Sequence, residues 1–205
     1  KKVKDSKKGG YGNISVAKAF EVSSNTGIVK AIYNAYKMNP QKFVDGLYRM
    51  NLQDSLGLPL TGEGKSIIPD PRIQNGRWSG IALQWMAYGY GVSFTPLQTL
   101  TFYNAIANDG VMVRPKFLRE IKAIETSVET FDTEIINPRI CSQETVLKLQ
   151  QLLKNVVEKE HGTGHGLYSS EFSMAGKTGT CHKDYVNKEQ LAYISSCSGY
   201  FPAYD

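Results

Sequence analysis

The feature that most constrains the fold is a pair of strand-like segments near the end of the 205-residue chain. The first covers about Ser173–Cys181 and the second about Leu191–Tyr200, and a polar segment, 182–190, joins them. This order predicts a β-hairpin. Because helical patterns fill much of the sequence before it, we predict an α+β fold in which helices pack on an antiparallel sheet.

Helix signals precede the hairpin. The clearest is Thr95 followed by Pro96, which is typical of an N-cap and a first helical position, and Gly110 is the predicted end. We expect the apolar face of this helix to consist of Leu97, Leu100, Ile106 and Ala107. Other helices are predicted from Val16 after a Ser15 cap, near Ile28, from Pro40 to about Met50, and after Ser142 with Val146, Leu149, Leu153, Val156 and Val157 buried. Residues 51–80 are expected to be irregular, and residues 111–124 strand-like.

Composition narrows the classes of function. The net charge of +5 is mild, and charges of both signs are mixed along the chain, so we expect no nucleic-acid partner. Three cysteines without CxxC spacing predict neither a disulfide framework nor a zinc site, and no metal or cofactor is expected. No signal peptide is evident. The basic cluster at residues 1–8 is predicted to be a solvated arm.

The segment AGKTGTC, residues 175–181, is the first candidate site. Lys177 offers an ammonium group and Thr178 a hydroxyl to an anionic group on a peptide. Gly179 lacks a Cβ, so another backbone can approach the strand closely. The N–H of Thr180 can point at a developing oxyanion. The alternative is an ordinary strand with a surface lysine and a bulge glycine.

A second candidate is the turn that contains Ser23 and Asn25, within SSNTG. Two residues apart in a turn, their side chains can point the same way. A hydroxyl there can relay a proton, and an amide can hold a substrate carbonyl or a neighbouring lysine. The alternative is that these residues only cap helices.

Taken together, S-x-N and, about 150 residues later, K-T-G are two of the three motifs of serine penicillin-recognising enzymes. The sequence resembles the transpeptidase domain of class B penicillin-binding proteins over nearly its whole length, and most closely the septal, cell-division branch. The segments that carry the resemblance are SSNTGIVK, LGLPLTGEG, GYGVSFTPLQTLTFYNAIANDGVMVRPKFL, MAGKTGT and SSCSGYFPAYD.

The resemblance implies a D,D-transpeptidase that cross-links peptidoglycan stem peptides through a serine acyl-enzyme and binds β-lactams. By matching motifs, Lys177 and Thr178 hold the terminal carboxylate of the substrate, and Thr180 contributes to the oxyanion hole. Ser23 is the proton-relay hydroxyl, and Asn25 contacts the substrate and the catalytic lysine. The implied location is the periplasmic side of the bacterial inner membrane, with cell-division proteins as further partners.

The third motif, S-x-x-K, carries the nucleophile. One such string occurs, Ser15-Val16-Ala17-Lys18, but Ser15 is explained as an N-cap, and it lies on the helix that leads into the S-x-N turn. We therefore expect residues 1–205 to be part of a transpeptidase domain that starts after the nucleophile motif and ends before the last strand of the sheet. Such a piece alone is predicted to be inactive and to form no covalent β-lactam adduct.

Two other functions stay open: a non-catalytic penicillin-recognising sensor or division scaffold, and a serine β-lactamase. A β-lactamase needs a positioned base for water, and Glu63 is the residue considered for that role. We expect Glu63 to be a solvated loop residue instead. His161 and His165 have the spacing of zinc ligands, but the glycines around Thr163 interrupt the helix, so a solvated loop is expected there too.

Overall fold

The computed structural model describes residues 3–73, 78–124, 126–182 and 192–204. The six α-helices of this part of the chain are α1 Val16–Glu21, α2 Asn25–Tyr36, α3 Gln41–Arg49, α4 Ala82–Met86, α5 Pro96–Ala107 and α6 Gln143–Glu158, and a short 3-10 helix covers His165–Leu167. No helix among the described residues is long and apolar enough to cross a bilayer.

The strands are β1 Met112–Val113, β2 Glu120–Ala123, β3 Thr126–Thr130, β4 Ile135–Asn137, β5 Ala175–His182 and β6 Tyr193–Tyr200. They pair as three antiparallel ribbons, β1 with β4, β2 with β3, and β5 with β6. The β5–β6 hairpin keeps an unbroken register from the pair Ala175 and Tyr200 to the pair His182 and Tyr193. The predicted α+β class and the antiparallel pairing of the two terminal strands are confirmed, and the predicted polar connection lies outside the described residues from 183 onward.

Helices α5 and α6 pack against the β5–β6 hairpin. The main core cluster comprises Ala105, Ile106, Met112, Ile140, Leu153 and Ala175. Helix α6 buries Val146, Leu153, Val156 and Val157, as its predicted apolar stripe requires, and the Ser142 Oγ accepts a hydrogen bond from the Thr145 N–H. The hairpin therefore has a helical layer on one face, and this layer fixes the position of strand β5.

The predicted buried face of α5 is partly wrong. Leu100 is 53% exposed, whereas Gln98 and Thr101 are buried. Gln98 closes a capping box with Thr95 and also donates to the carbonyl of Asp54 at 3.3 Å, so its polar groups are satisfied inside the protein. These hydrogen bonds set the rotation of the helix, which the apolar pattern alone does not reveal.

Two helix starts also differ from prediction. Helix α2 begins at Asn25 instead of near Ile28, because the Ser24 Oγ accepts from the Gly27 N–H at 3.0 Å and serves as the N-cap. Helix α3 begins at Gln41, with Pro40 in the cap position. Because α1 ends at Glu21 and α2 begins at Asn25, the S-x-N segment lies at the junction between these two helices.

Candidate active site

The turn at Ser23 ends helix α1, and a serine occupies the position that glycine usually holds. Helix α1 ends with the Ser23 N–H donating to the Phe20 carbonyl at 3.1 Å and the Ser24 N–H donating to the Ala19 carbonyl at 2.8 Å. This pattern is a Schellman motif, in which the residue at Ser23 adopts a left-handed conformation that glycine usually supplies. Ser23 has a φ of 51°. A serine here accepts strain that glycine would avoid, and it provides a hydroxyl at this position.

Strand β5 brings Lys177 to that hydroxyl. The Lys177 Nζ donates to the Ser23 Oγ and also to the Thr178 carbonyl at 3.2 Å. Burial of the ammonium group lowers the pKa of Lys177 below its ordinary value. Lys177 therefore gives up its proton more readily than a free lysine does. The Ser23 hydroxyl that it contacts can pass a proton on.

Thr163, which sequence reasoning treated only as part of a helix end, completes the hydroxyl cluster. Its Oγ1 lies 3.3 Å from the Ser23 Oγ and accepts a hydrogen bond from the Thr178 Oγ1 at 2.6 Å. The only signal available in the sequence was the G-T-G string itself. One ammonium and three hydroxyls therefore converge, a donor set that suits a carboxylate.

Gly179 and Thr180 follow on the same strand and line the same cleft. Gly179 lies opposite Ser196 in the register of the hairpin, and a Cβ on Gly179 would lie 2.7 Å from the Ser196 Oγ. The missing side chain thus makes room for a cross-strand hydroxyl. Ser196 also lines the cleft, and sequence reasoning did not single it out.

Two residues of the predicted solvated arm, Lys4 and Asp5, are instead docked on the S-x-N turn, whereas residues 6–8 are exposed and residues 1 and 2 lie outside the described part of the chain. Asp5 accepts hydrogen bonds from the Ser24 hydroxyl at 3.1 Å and from the Thr26 N–H and hydroxyl at 2.9 and 2.6 Å. The side-chain amide of Asn25 donates to the Lys4 carbonyl at 3.1 Å. Asp5 binds the first turn of α2, so the expectation of a solvated arm is wrong for residues 4 and 5. The side chain of Asn25 lies at the rim between this arm and the cleft.

A cleft of about 860 Å³ connects these groups. The S-x-N turn and strand β5 form two of its walls, and Tyr88 and Tyr90 belong to another. Ser15 is not among the residues that line it, and the Ser15 Oγ accepts from the Lys18 N–H at 3.1 Å as the N-cap of α1. The predicted motifs of residues 23–25 and 177–180 therefore share one concave site.

Behind the cleft, the carboxylate of Glu21 is buried and fully paired. It accepts from the Asn155 amide at 2.9 Å, from the Lys159 Nζ at 2.7 Å, and lies 2.7 Å from the His161 Nε2. Desolvation raises the pKa of Glu21, but the hydrogen bonds from Lys159, His161 and Asn155 outweigh it, so the pKa lies below its ordinary value. The expectation that His161 is merely solvated was wrong, because its ring reaches this carboxylate.

Glu63 also has a different role from the one expected. Its two carboxylate oxygens accept hydrogen bonds from the backbone N–H groups of Leu56 and Leu58, the latter at 3.1 Å. It organises its own loop and does not stand free in solvent. Among the described residues, no group of three or more His, Cys, Asp or Glu side chains is arranged to hold a metal ion.

Residues 1–205 match the family described as penicillin binding protein transpeptidase domain. The chain belongs to this family, as its motifs predict. It is 32% identical over 169 residues to the penicillin-binding protein PbpB of Mycobacterium tuberculosis, covering 80% of this chain and 24% of the relative. It is 28% identical over 198 residues to the peptidoglycan D,D-transpeptidase FtsI of Escherichia coli, covering 94% of this chain and 30% of the relative.

The fold agrees with a solved structure. The crystal structure of penicillin-binding protein 3 from Mycobacterium tuberculosis in complex with aztreonam superposes with a TM-score of 0.74 and 28% sequence identity, covering 98% of this chain and 45% of that one. The chain thus spans less than a third of the length of these two relatives and less than half of this neighbour.

Proposed function

We propose that this chain provides the S-x-N and K-T-G parts of a peptidoglycan D,D-transpeptidase of class B, in the septal branch. The observation that carries the proposal is the contact between Lys177 and Ser23, two residues 154 positions apart that belong to the two motifs. The contact places a partly buried amine within hydrogen-bond reach of a hydroxyl. A proton relay requires that arrangement.

In the proposed reaction, a serine Oγ attacks the carbonyl of the penultimate D-Ala, and the terminal D-Ala leaves with the proton relayed to its nitrogen. An amine of a second stem peptide then attacks the ester and releases the serine. Ser23 and Lys177 move the proton, Thr178 binds the terminal carboxylate, and Thr180 contributes to the oxyanion hole. Asn25 contacts the substrate from the rim. A β-lactam takes the place of the donor dipeptide and leaves the serine acylated.

We infer that the acylated serine is not Ser15. Its hydroxyl is engaged as a helix cap, and it lies away from the cleft lining. The nucleophile is to be sought in sequence beyond these 205 residues, together with the remaining strands of the sheet. The β-lactamase alternative is not favoured, because the carboxylate of Glu63 is occupied by backbone N–H groups.

The test is labelling with a fluorescent penicillin, followed by denaturing electrophoresis. The whole protein that contains this chain should give a labelled band, and residues 1–205 alone should give none. In the whole protein, Lys177→Ala should slow labelling about 100-fold, because it removes a proton-transfer group and a carboxylate contact. Lys148→Ala, at a lysine whose side chain is 71% exposed, is the matched control and should label at the normal rate.

Two results would contradict the proposal. If the whole protein takes up no label, the proposed activity is wrong and the scaffold function replaces it. If residues 1–205 alone become labelled and Ser15→Ala abolishes the label, the assignment of Ser15 as a structural cap is wrong. Thermal unfolding of each sample shows whether a missing label reflects a missing fold.

A further inference from the structure

The G-T-G segment after α6 is held by backbone hydrogen bonds and by a close approach to the last turn of that helix. The Gly162 N–H donates to the Lys159 carbonyl at 2.7 Å, and the Gly164 N–H donates to the Val156 carbonyl at 3.0 Å. A Cβ on Gly162 would lie 2.1 Å from the Val156 carbonyl oxygen. Only glycine allows this close return of the chain over the last turn of α6. The segment therefore presents the side chain between the two glycines in one position.

That side chain belongs to Thr163, which is exposed in the cleft. Its Oγ1 bridges Ser23 at 3.3 Å and Thr178 at 2.6 Å, so it touches one residue from each motif. It accepts its hydrogen bond from Thr178, which leaves its own proton available for the Ser23 oxygen or for a ligand. A hydroxyl so placed can donate to an anion that enters between the two motifs.

The position of Thr163 depends on the buried carboxylate of Glu21. The backbone carbonyl of Glu21 accepts from the Thr163 N–H at 3.2 Å. Its side chain binds Lys159 and His161, which precede Thr163 in the same turn, and Asn155 on α6. Since Glu21 is also two residues before Ser23, one buried group fixes both sides of the hydroxyl cluster.

We propose that Thr163 is a third hydroxyl of the carboxylate-binding site, in contact with the terminal carboxylate of the donor peptide or β-lactam, and that Glu21 is the residue that positions it. This inference rests on the proposed function, since it assigns a further contact to the same substrate group. Beside the residues of the two motifs, the site then contains Thr163 from the turn after α6. It also depends on Glu21, a buried acid that does not contact the substrate.

The test measures acylation of the whole protein by a penicillin and by the same penicillin with its carboxylate converted to a methyl ester. Thr163→Val removes the hydroxyl at nearly constant shape. It should slow acylation by the carboxylate form about tenfold or more, as expected for a lost hydrogen bond to a charged group. The rate of acylation by the methyl ester should change less than about twofold. Thr163→Ser keeps the hydroxyl and should retain most of the rate. Thr130→Val, on an exposed strand outside the cleft lining, is the control.

The positioning role of Glu21 is tested by a double-mutant cycle. Glu21→Gln should slow acylation by the carboxylate form in the normal protein, measured per folded molecule below the unfolding temperature. In the Thr163→Val background the same change should have a markedly smaller effect, because its target hydroxyl is already absent. A general loss of stability would slow both backgrounds equally.

The outcomes separate the two proposals. If the normal protein is not acylated at all, the proposed function fails. The contact between Thr163 and the carboxylate is wrong if the normal protein is acylated and Thr163→Val reacts at the normal rate. It is also wrong if Thr163→Val slows acylation by the carboxylate form and by the methyl ester equally. Additive effects in the cycle overturn the role of Glu21. Should Thr163→Val fail to fold, a Thr163→Ser variant with less than a tenth of the normal rate would also contradict the inference, because it keeps the hydroxyl.

Discussion

Two buried carboxylates, Glu21 and Asp70, are almost equally shielded from solvent, at 2% and 3% exposure, but they are satisfied in opposite ways. The partners of Glu21 lie 134 to 140 positions away on α6 and the turn after it. The principal partner of Asp70 is Arg72, two residues further along, which donates through its backbone N–H at 2.8 Å and its guanidinium at 2.7 Å.

The difference shows what each acid does for the fold. Glu21 joins α1 to α6 and to the turn after it, and thus links the S-x-N turn to Thr163 in the cleft lining. Asp70 fixes a loop chiefly through Arg72. A hydrogen bond between Asp70 and Tyr48 ties that loop to α3, as do the contacts of Arg72 with Asp45 at 3.2 Å and with the ring of Tyr48, whose centroid lies 5.7 Å away. We conclude that a long-range acid supports the site, whereas a short-range acid supports the irregular segment before α4.

The largest effect is expected at Glu21. Glu21→Ala should lower the free energy of unfolding by about 3 kcal/mol, because it leaves a cavity and removes the shared partner of three polar groups. The half-exposed positions of Lys159 and His161, at 45% and 39%, keep the loss below the top of the usual range, since both can turn to water. Chemical denaturation of the whole protein measures the change.

The control for this variant is Glu144→Ala, an acid that pairs with Lys148 at 2.6 Å but has a side chain that is 77% exposed. It should lower the free energy of unfolding by less than about 1 kcal/mol, since an exposed ion pair and a charge in the first turn of a helix each contribute little. A Glu21→Ala variant as stable as this control would mean that the buried cluster does not join the two helices energetically.

A smaller and pH-dependent effect is expected at Asp70. The side-chain hydrogen bond from Arg72 lowers the pKa of Asp70 to about 2. Because this value lies below the ordinary 3.8, the carboxylate stabilises the folded state above about pH 4, and that contribution disappears as the pH falls towards 2. Because the side chain of Arg72 is 53% exposed, we expect the charge of Asp70 to contribute about 1 to 2 kcal/mol to the free energy of unfolding at neutral pH.

The measurement is the difference in unfolding free energy between the normal protein and Asp70→Asn, followed from pH 7 to pH 2. The difference should be constant at neutral pH and shrink in acid. An equal difference at every pH would show that the hydrogen-bonding shape of the side chain matters, and not its charge. Acylation by penicillin should be nearly unchanged, in contrast to variants at Glu21.

The same contrast explains which features could be predicted from the sequence. The caps at Thr95 and Ser142 act over three residues, so a short pattern contains all the information. The cluster around Glu21 and the role of Thr163 depend on contacts across about 140 residues, and no local pattern signals them. That residues 23–25 and 177–180 belong to one site was predicted only because both motifs resemble those of a known family, and the contact between Ser23 and Lys177 was not predicted. The docked Asp5 was missed because charge counting averaged it with its neighbouring lysines.

The smallest expected effect is at Ser23 and compares two variants that both lack the hydroxyl. The residue has a φ of 51° in the turn that follows Glu21, whereas no described residue from 66 to 73 has a positive φ. Glycine adopts this conformation without a steric penalty, and alanine does not. Ser23→Gly should therefore be more stable than Ser23→Ala by about 1 kcal/mol, although both should label slowly with penicillin. If denaturation finds the two variants equally stable, the turn stores no strain. The presence of serine at this position would then need no functional explanation, because the turn at Ser23 would be as free of strain as the loop around Asp70.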